Sequence, residues 1–366
     1  MSGYLVPEEI IHEILLWLPA KSLLRFSTVC KSWSSMINHP SFIDTHLKRR
    51  NQHNLQNDIL HLLTSKRKDR MSYSSCLIKD GEYMYTNLML PSLLVKGMGL
   101  LSLIGTCNGL LCFAYNREPN SPGAPPTIIF NPLIRKIVIL PKPSIICDPF
   151  TQYEQPHSFG YDARTNDYKV LRLVLKFQTP YAVEVYSLAT NSWKRLSSAA
   201  IPAYVWSKYG FLSVNNALYW IQYRNVKREE YVIVSFDLAT EMFSQIMMPE
   251  DLGRKSNRYL DLSRYGESLS LIVAAENIEI WVMKEVGVME SWKQVLTINC
   301  SKNPLLKIPN SSGEVLFKTR ESPRKMQRLN YKTEQAEDFG KDKNYNPRDS
   351  FADCLVLLGQ TNAVPY

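Results

Sequence analysis

VEVYSLATNSWKRL (residues 183–196) and VSFDLATEMFSQI (234–246) are two copies of one phrase. In each, an apolar strand closes on an aromatic, a polar turn follows, and a second strand begins. The aromatics bracketing the turn, Tyr186 with Trp193 and Phe236 with Phe243, are seven residues apart in both. Short runs rich in Val, Ile, Tyr and Phe, separated by Asn, Thr and Asp, are the pattern of antiparallel strands. The phrase returns in IIFNPLIRKIVIL (128–140), IEIWVMKEVGVMESWKQV (278–295) and QRLNYKTEQAEDF (327–339). In the second of these the turn is four residues longer, because Trp281 and Trp292 are eleven apart.

Taking the strand-end aromatic as a register mark, Phe130, Tyr186, Phe236, Trp281 and Tyr331 fall at spacings of 56, 50, 45 and 50 residues. A period of about fifty residues with several strands per unit predicts a kelch-like β-propeller. The partner strands are legible too. SLIGTCNGLLCFAY (102–115) is a hairpin on Asn108-Gly109, a strong short-range turn signal. HSFGYDARTNDYKVLRLV (157–174) supplies a pair for the next unit, and GFLSVNNALYWIQ (210–222) another, turning on Asn215-Asn216. SLSLIVAA (268–275) and GEVLFKT (313–319) are expected to begin the last two units. Five units are traceable. A sixth is expected to be split, with ADCLVLLG (352–359) pairing with a strand near Ser75 to Ile78 and so protecting the open edges of both end blades. The fold class is mainly β, a propeller of about five to six blades, preceded by helices.

Those helices occupy the first fifty residues. Pro7 is placed to open a helix, and Glu8 and Glu9 suit the positive end of its dipole. Apolar residues at 10, 11, 14, 15 and 18 follow at helical spacing until Pro19. A second stretch, with Ser22 as its expected cap, carries Leu23, Leu24, Phe26, Val29, Cys30 and Trp33 on one side, and Pro40 is expected to end it. A bundle this small holds more large apolar side chains than it can bury alone, which points to an obligate partner. A helical cap packed on the rest of the chain accounts for the same surplus.

LVPEEIIHEILLWLPAKSLLRFSTVCKSWSSMINHPSFIDTHL (5–47) resembles the F-box in its plant form. The pieces that carry the resemblance are Val6-Pro7-Glu8-Glu9-Ile10, Leu18-Pro19, Lys21 to Phe26, Val29-Cys30-Lys31-Ser32-Trp33 and Asn38 to Phe42. Val6 stands where the family usually has Leu, and Trp17 where a polar or basic residue is common. The resemblance implies a three-helix module over residues 1–48 that docks on a Skp-type adaptor, and through it on cullin and RING subunits. Carried over from the family, the adaptor-binding residues are Pro7, Ile10, Ile14, Leu18, Pro19, Leu23, Val29, Cys30 and Trp33. Cys30 is expected as a small buried or interface group, and Trp33 as the anchor.

CNGLLC, FNP, FGYD…NDYKV, VEVYSL…SW, LYWI, SFDL…EMF, IWVMKEVGVMESW, GEVLF and CLVLLG together resemble the plant F-box-associated domain. That family includes pollen S-locus F-box proteins and regulators of immune-receptor levels. Residues 49–100 read as a linker and entry into the propeller, and 101–366 as the substrate-recognition domain.

Chemistry finds little purchase. Five of the six histidines lie at 12, 39, 46, 53 and 61, leaving the β-rich region only His157, which reads as a strand start. No GxSxG, HExxH or P-loop motif occurs. The seven cysteines are scattered without a CxxC pair, so a zinc ribbon is excluded and no metal or cofactor is expected. Cys107 and Cys112 read as strand residues. The net charge of +9 is diffuse, +4 over 1–70, +4 over 71–313 and +1 over 314–366, unlike the concentrated stripe of a nucleic-acid groove. The one dense cluster, Lys66, Arg67, Lys68 and Arg70 around Asp69, reads as a solvated linker. The N-terminus lacks the basic leader of a signal peptide. Lys96 and Asn108-Gly109 interrupt the most apolar window (90–113), so no membrane span is expected and the compartment is cytosol or nucleus.

The reading is therefore a non-catalytic substrate receptor of an SCF-type ubiquitin ligase, its protein target unknown. An adaptor-bound module that sequesters its partner without degradation is the alternative. Recognition is expected on the loops that differ between units: 116–126, 144–156, 224–230, 250–258 and 284–291.

Overall fold

The computed structural model describes residues 6–52, 59–67, 70–79, 82–88, 101–115, 126–145, 153–154, 156–176, 179–197, 211–225, 230–249, 252, 259–275, 277–299, 304–309, 315–319, 326–330, 335–339 and 346–365. Among these residues the strands form six antiparallel sheets. Blade 1 joins β1 (Ile59–Arg67), β2 (Arg70–Lys79) and β3 (Glu82–Asn87) to β25 (Asn346–Ala352), in the order β25-β1-β2-β3. Blade 2 holds β4 (Leu101–Cys107), β5 (Leu110–Tyr115), β6 (Ile128–Asn131) and β7 (Lys136–Ile139), edged by β26 (Val364–Pro365). Blade 3 holds β9 (His157–Asp162), β10 (Asp167–Lys176), β11 (Thr179–Ser187) and β12 (Ser192–Leu196), with the short β8 (Tyr153–Glu154) also paired to β10.

Blade 4 is built from β13 (Leu212–Val214), β14 (Ala217–Asn225), β15 (Glu230–Asp237) and β16 (Met242–Ile246). Blade 5 follows with β17 (Tyr259–Tyr265), β18 (Ser268–Ala274), β19 (Asn277–Met283) and β20 (Trp292–Asn299). Blade 6 holds β21 (Pro304–Pro309), β22 (Val315–Thr319), β23 (Met326–Asn330) and β24 (Gln335–Phe339). The first strands of successive blades touch in turn: β4 with β9, then β13, β17, β21, β25 and back to β4. The ring is closed, and its strands are the inner wall of a six-bladed propeller.

Several sequence expectations are corrected here. The last two blades begin with β17 and β21; SLSLIVAA and VLFKT are their second strands. The split blade exists, but its closing strand is 346–352, paired with β1 in a register from Ile59↔Ala352 to Thr64↔Asn346. Residues 353–359 leave the sheet as irregular chain and turns, and β2 pairs with β1 and β3 instead. The stretch read as a linker supplies three of the four strands of blade 1. Lys66, Arg67 and Arg70 sit at the end of the β1–β2 hairpin, where Arg67 faces Arg70; Lys68 and Asp69 lie outside the described residues. So does Tyr331, the last register mark.

The blades pack through faces that are apolar on both sides. One core fills the gap between blades 4 and 5, with Tyr219, Ile221 and Ile233 against Leu260, Leu271 and Trp292. Another joins blades 3 and 4, with Leu171, Val183 and Val185 against Trp220, Val234 and Phe236. This is why central strands such as β18 read as almost continuous apolar runs. The periodic aromatics belong to the same packing. The indole N–H of Trp193 donates to the Pro141 carbonyl at 2.8 Å, and that of Trp292 to the Met247 carbonyl at 3.2 Å. In both cases a fourth-strand Trp reaches the chain just past the fourth strand of the preceding blade. At the hairpins, Asn108 and Gly109 (φ 49° and 82°) and Asn215 and Asn216 (φ 45° and 64°) take the left-handed conformations that tight two-residue turns require.

The N-terminal module has four helices, not three: α1 (Glu8–Leu16), α2 (Ala20–Phe26), α3 (Lys31–Asn38) and α4 (Pro40–Gln52). Pro40 opens the fourth instead of ending the third, as its fixed φ suits a first helical position. Pro19, not Ser22, is the N-cap of α2; its carbonyl accepts from the amides of Ser22 and Leu23. Leu15, Leu16, Ala20, Leu23, Ile37 and Phe42 form the module's core. The buried His46 ring contacts the Leu18 carbonyl at 2.9 Å and ties α4 to the α1–α2 turn.

The module is not a free appendage. Ile43 and Leu47 of α4 pack into the core of blades 2 and 3, beside Leu110, Ile129 and Tyr168. Leu133, from the β6–β7 turn, packs into the helical core. The helices therefore sit on the face of the propeller that carries the turns between first and second strands and between third and fourth.

Candidate functional site

Helix α1 has two apolar faces with different fates. Leu15 and Leu16 point inward and are buried. Ile10, Ile14 and Trp17, spaced four and three residues apart on the opposite side, are 50%, 54% and 56% exposed. Val6, just before the helix, is exposed as well. The start of α3 lies alongside, because the Ser32 hydroxyl contacts the Glu8 carboxylate at 3.4 Å. This brings Val29, 62% exposed, and the exposed Cys30 to the same end of the bundle. A protein with its own core and its other flank packed on a propeller has no folding reason to present this stripe.

The nine carried-over residues divide accordingly. Pro7, Ile10, Ile14, Pro19, Val29 and Cys30 are exposed, and Leu18 and Trp33 are half-buried. Leu23 is fully buried in the helical core. In sequence it stands one helical turn from Ala20, as the exposed Ile14 does from Ile10, so local spacing alone does not separate the two. Cys30 is not a buried spacer. It is the N-cap of α3, its sulfur accepting from the Trp33 amide at 3.5 Å. Trp33 packs edge-on against Phe26, with ring centroids 5.6 Å apart.

Val6 and Trp17 are exposed on the same stripe and stand outside that set. Trp17 continues the Ile10–Ile14 spacing by one helical turn, which was the available signal. The guanidinium of Arg49 lies 5.2 Å from its ring and pairs with Glu13 at 2.8 Å, so α4 holds the indole from behind. Chain order could not reveal that contact, because Arg49 is thirty-two residues away.

The β-rich region shows what its titratable groups are doing. His157 is buried at the start of β9. Burial pushes the Cys112 thiol well up and the Cys354 thiol up to about 12, which keeps both far from thiolate near neutrality. Arg172 and Glu184 form a buried ion pair across β10 and β11, and Glu184 also accepts from the Ser144 hydroxyl and the Ile145 amide. Asp162 is buried, which works against its ionisation. The Thr165 hydroxyl, the Arg164 amide and the Lys169 ammonium outweigh this and hold its carboxyl below the usual range. These pairs tie loops to blades. Among the described residues, no group of three or more His, Cys, Asp or Glu side chains is placed to hold a metal ion. No helix among them is long and apolar enough to cross a membrane.

Of the five expected recognition loops, only 284–291 is described throughout; the others lie wholly or mostly outside the described residues. It joins a third strand to a fourth, so it stands on the face that carries the helices. The strand ends flanking 116–126, 144–156, 224–230 and 250–258 are on the opposite face.

Comparison with known proteins agrees with this architecture. The F-box domain family matches residues 5–45, and the F-box associated beta propeller domain matches residues 98–345. The chain belongs to the F-box proteins that carry an F-box-associated propeller. F-box protein CPR1 of Arabidopsis thaliana is 32% identical over 324 residues, covering 81% of this chain and 74% of that protein. F-box/kelch-repeat protein At3g23880 of the same plant is 27% identical over 320 residues, covering 81% and 80%. Proteins of this family are generally substrate receptors of SCF ligases, adaptors without catalysis of their own, and their F-box binds Skp-type adaptors.

Proposed function

We propose that this chain is the substrate-recognition subunit of an SCF ubiquitin ligase in the cytosol or nucleus. Its helices hold a Skp-type adaptor through Val6, Pro7, Ile10, Ile14, Trp17, Pro19, Val29 and Cys30, with Leu18 and Trp33 at the margin. Its propeller, residues 59–365 in this reading, presents a protein target for ubiquitination. The observation that carries the reading is the solvent-exposed apolar stripe on α1 and α3, on a module whose other flank is packed on blade 2. The propeller contributes local concentration and orientation of the target lysine; the bond-forming chemistry belongs to the rest of the complex.

The target-binding surface is placed on the propeller face opposite the helices. Four of the five variable loops depart from it, and nothing of the adaptor would obstruct it. The test is adaptor co-purification from plant cells with the Leu18→Ala/Pro19→Ala variant, followed by half-lives of the proteins captured under proteasome inhibition. Loss of adaptor with a normal propeller melt, and lengthened target half-lives, are the expected results. Captured proteins that turn over at the same rate with and without the receptor would replace degradation by sequestration.

A further inference from the structure

The chain's last described residues form a strut between propeller and helices, and one side chain locks it. After β25, residues 353–363 run from the inner wall across blade 2 to its outer edge, where Val364 and Pro365 pair with Ile137 and Lys136. Along this path the side chains part to two sides. Leu355 enters the core of the helical module. Cys354, Val356, Leu357 and Ala363 enter the core of blades 2 and 3. Lys21 of α2 pairs with Asp353 at 3.0 Å, and Lys136 donates to the Leu358 carbonyl at 2.7 Å. At Gly359 the chain passes so close to the end of α3 that a Cβ there would lie 3.1 Å from the Asn38 carbonyl.

Asn131, fully buried at the end of β6, works on both sides of this strut. Its Oδ1 accepts from the amides of Leu133 and Ile134 at 3.0 and 3.4 Å, capping the β6–β7 turn. Its Nδ2 donates to the carbonyls of Val356 and Cys354 at 2.7 and 3.1 Å, with the Cys354 sulfur at 3.3 Å. The same strand-end position holds Ser187 in blade 3 and Asp237 in blade 4. Each caps its own turn: Ser187 from the Thr190 amide at 3.2 Å, Asp237 from the Ala239 and Thr240 amides at 2.9 and 2.7 Å. Turn capping therefore accepts Ser, Asp or Asn. The amide also carries two donors, and in blade 2 two strand-free carbonyls face it. A carboxylate there would stand against two carbonyl oxygens.

We infer that Asn131 is a positioning residue: by clasping residues 354–356 it fixes the helical module at one angle to the propeller, and thereby the distance over which a bound target is presented. The consequence for ubiquitin transfer rests on the receptor reading above; the clasp itself does not.

The test uses the full chain with fluorophores on unnatural amino acids at the exposed Glu9 and Glu290, one on α1 and one on blade 5, read as a single-molecule distance distribution. Asn131→Ser and Asn131→Asp both keep the turn cap used in blades 3 and 4. The expected result is a single narrow distance in the native sequence and a broad or multiple one in both variants. The propeller melt and the capture of a purified Skp-type adaptor should be retained. An unchanged distance distribution in both variants overturns the inference. So does a collapse of the propeller melt in both, which would make Asn131 a folding residue and nothing more. Failure of the native chain to bind the adaptor would sink the receptor reading while leaving the distance result to judge the clasp.

Discussion

Ile10 and Ile14 on α1 allow the docking face to be separated from the fold by measurement. Both side chains are about half exposed, while their neighbours Leu15 and Leu16 are buried. Full burial of an isoleucine side chain is worth roughly 1.5–3 kcal/mol. Covering the outer half of each against an adaptor should then contribute on the order of 1 kcal/mol apiece. The double variant Ile10→Ala/Ile14→Ala should thus lose about 2 kcal/mol of binding, a weakening of roughly thirtyfold. Titration of a purified Skp-type adaptor by calorimetry reads this directly. The thermal melt of the chain should hardly move, since the removed atoms make little contact with the core. Leu23→Ala is the contrasting variant. Its side chain is fully buried, so truncation should cost roughly 2–5 kcal/mol of stability and lower the melt of the helical module. Native adaptor affinity in the double variant, with Leu23→Ala binding poorly despite an unchanged melt, would refute the assignment of faces.

Three further outcomes follow from the propeller. Gly160→Ala should destabilise the chain by roughly 1–3 kcal/mol, because the added Cβ would lie 2.8–2.9 Å from atoms of Leu238, Ser213 and Leu218 in the next blade; denaturant unfolding would show it. Burial on β17 pushes the Asp261 carboxyl up to about 7 from 3.8, against hydrogen bonds from the Leu262 amide and the Tyr259 hydroxyl. The unfolded carboxyl ionises first, so stability falls as pH rises from about 4 to about 7 and stays low above. Asp261→Asn should therefore raise the melting temperature at pH 8 and leave it nearly unchanged below pH ~4, as scanning fluorimetry across pH would report. Deleting residues 346–366 removes the inner strand of blade 1, exposing the edge of β1 and breaking the contacts to β4 and β21; aggregation by light scattering is expected, and a soluble protein with a normal melt would contradict the closure.

The propeller was legible because its signals are local. Strand alternation, Asn-Gly and Asn-Asn turns and the strand-end aromatics each act within a dozen residues, and repetition makes them reinforce one another. The strands beginning the last two blades were less legible. Tyr259–Tyr265 and Pro304–Pro309 gain their place by pairing with β18 and β22. The closing strand misled for a related reason. CLVLLG is more apolar than NPRDSFA, yet its apolar residues are buried between two modules and not within a sheet. Burial produces the same composition in either case.

By itself the sequence determined the two modules, the repeat and the helical spacing that aligns Ile10, Ile14 and Trp17, since these depend on neighbours along the chain. Only the tertiary structure decided which apolar residues of the helices remain outside, because Leu23 and Val29 differ in surroundings and not in kind. It also decided that Cys30 caps a helix, that residues 346–352 close the ring, and that Asn131 reaches a segment more than two hundred residues away. Such contacts are set by how the closed ring brings its two ends together, and no local propensity encodes them.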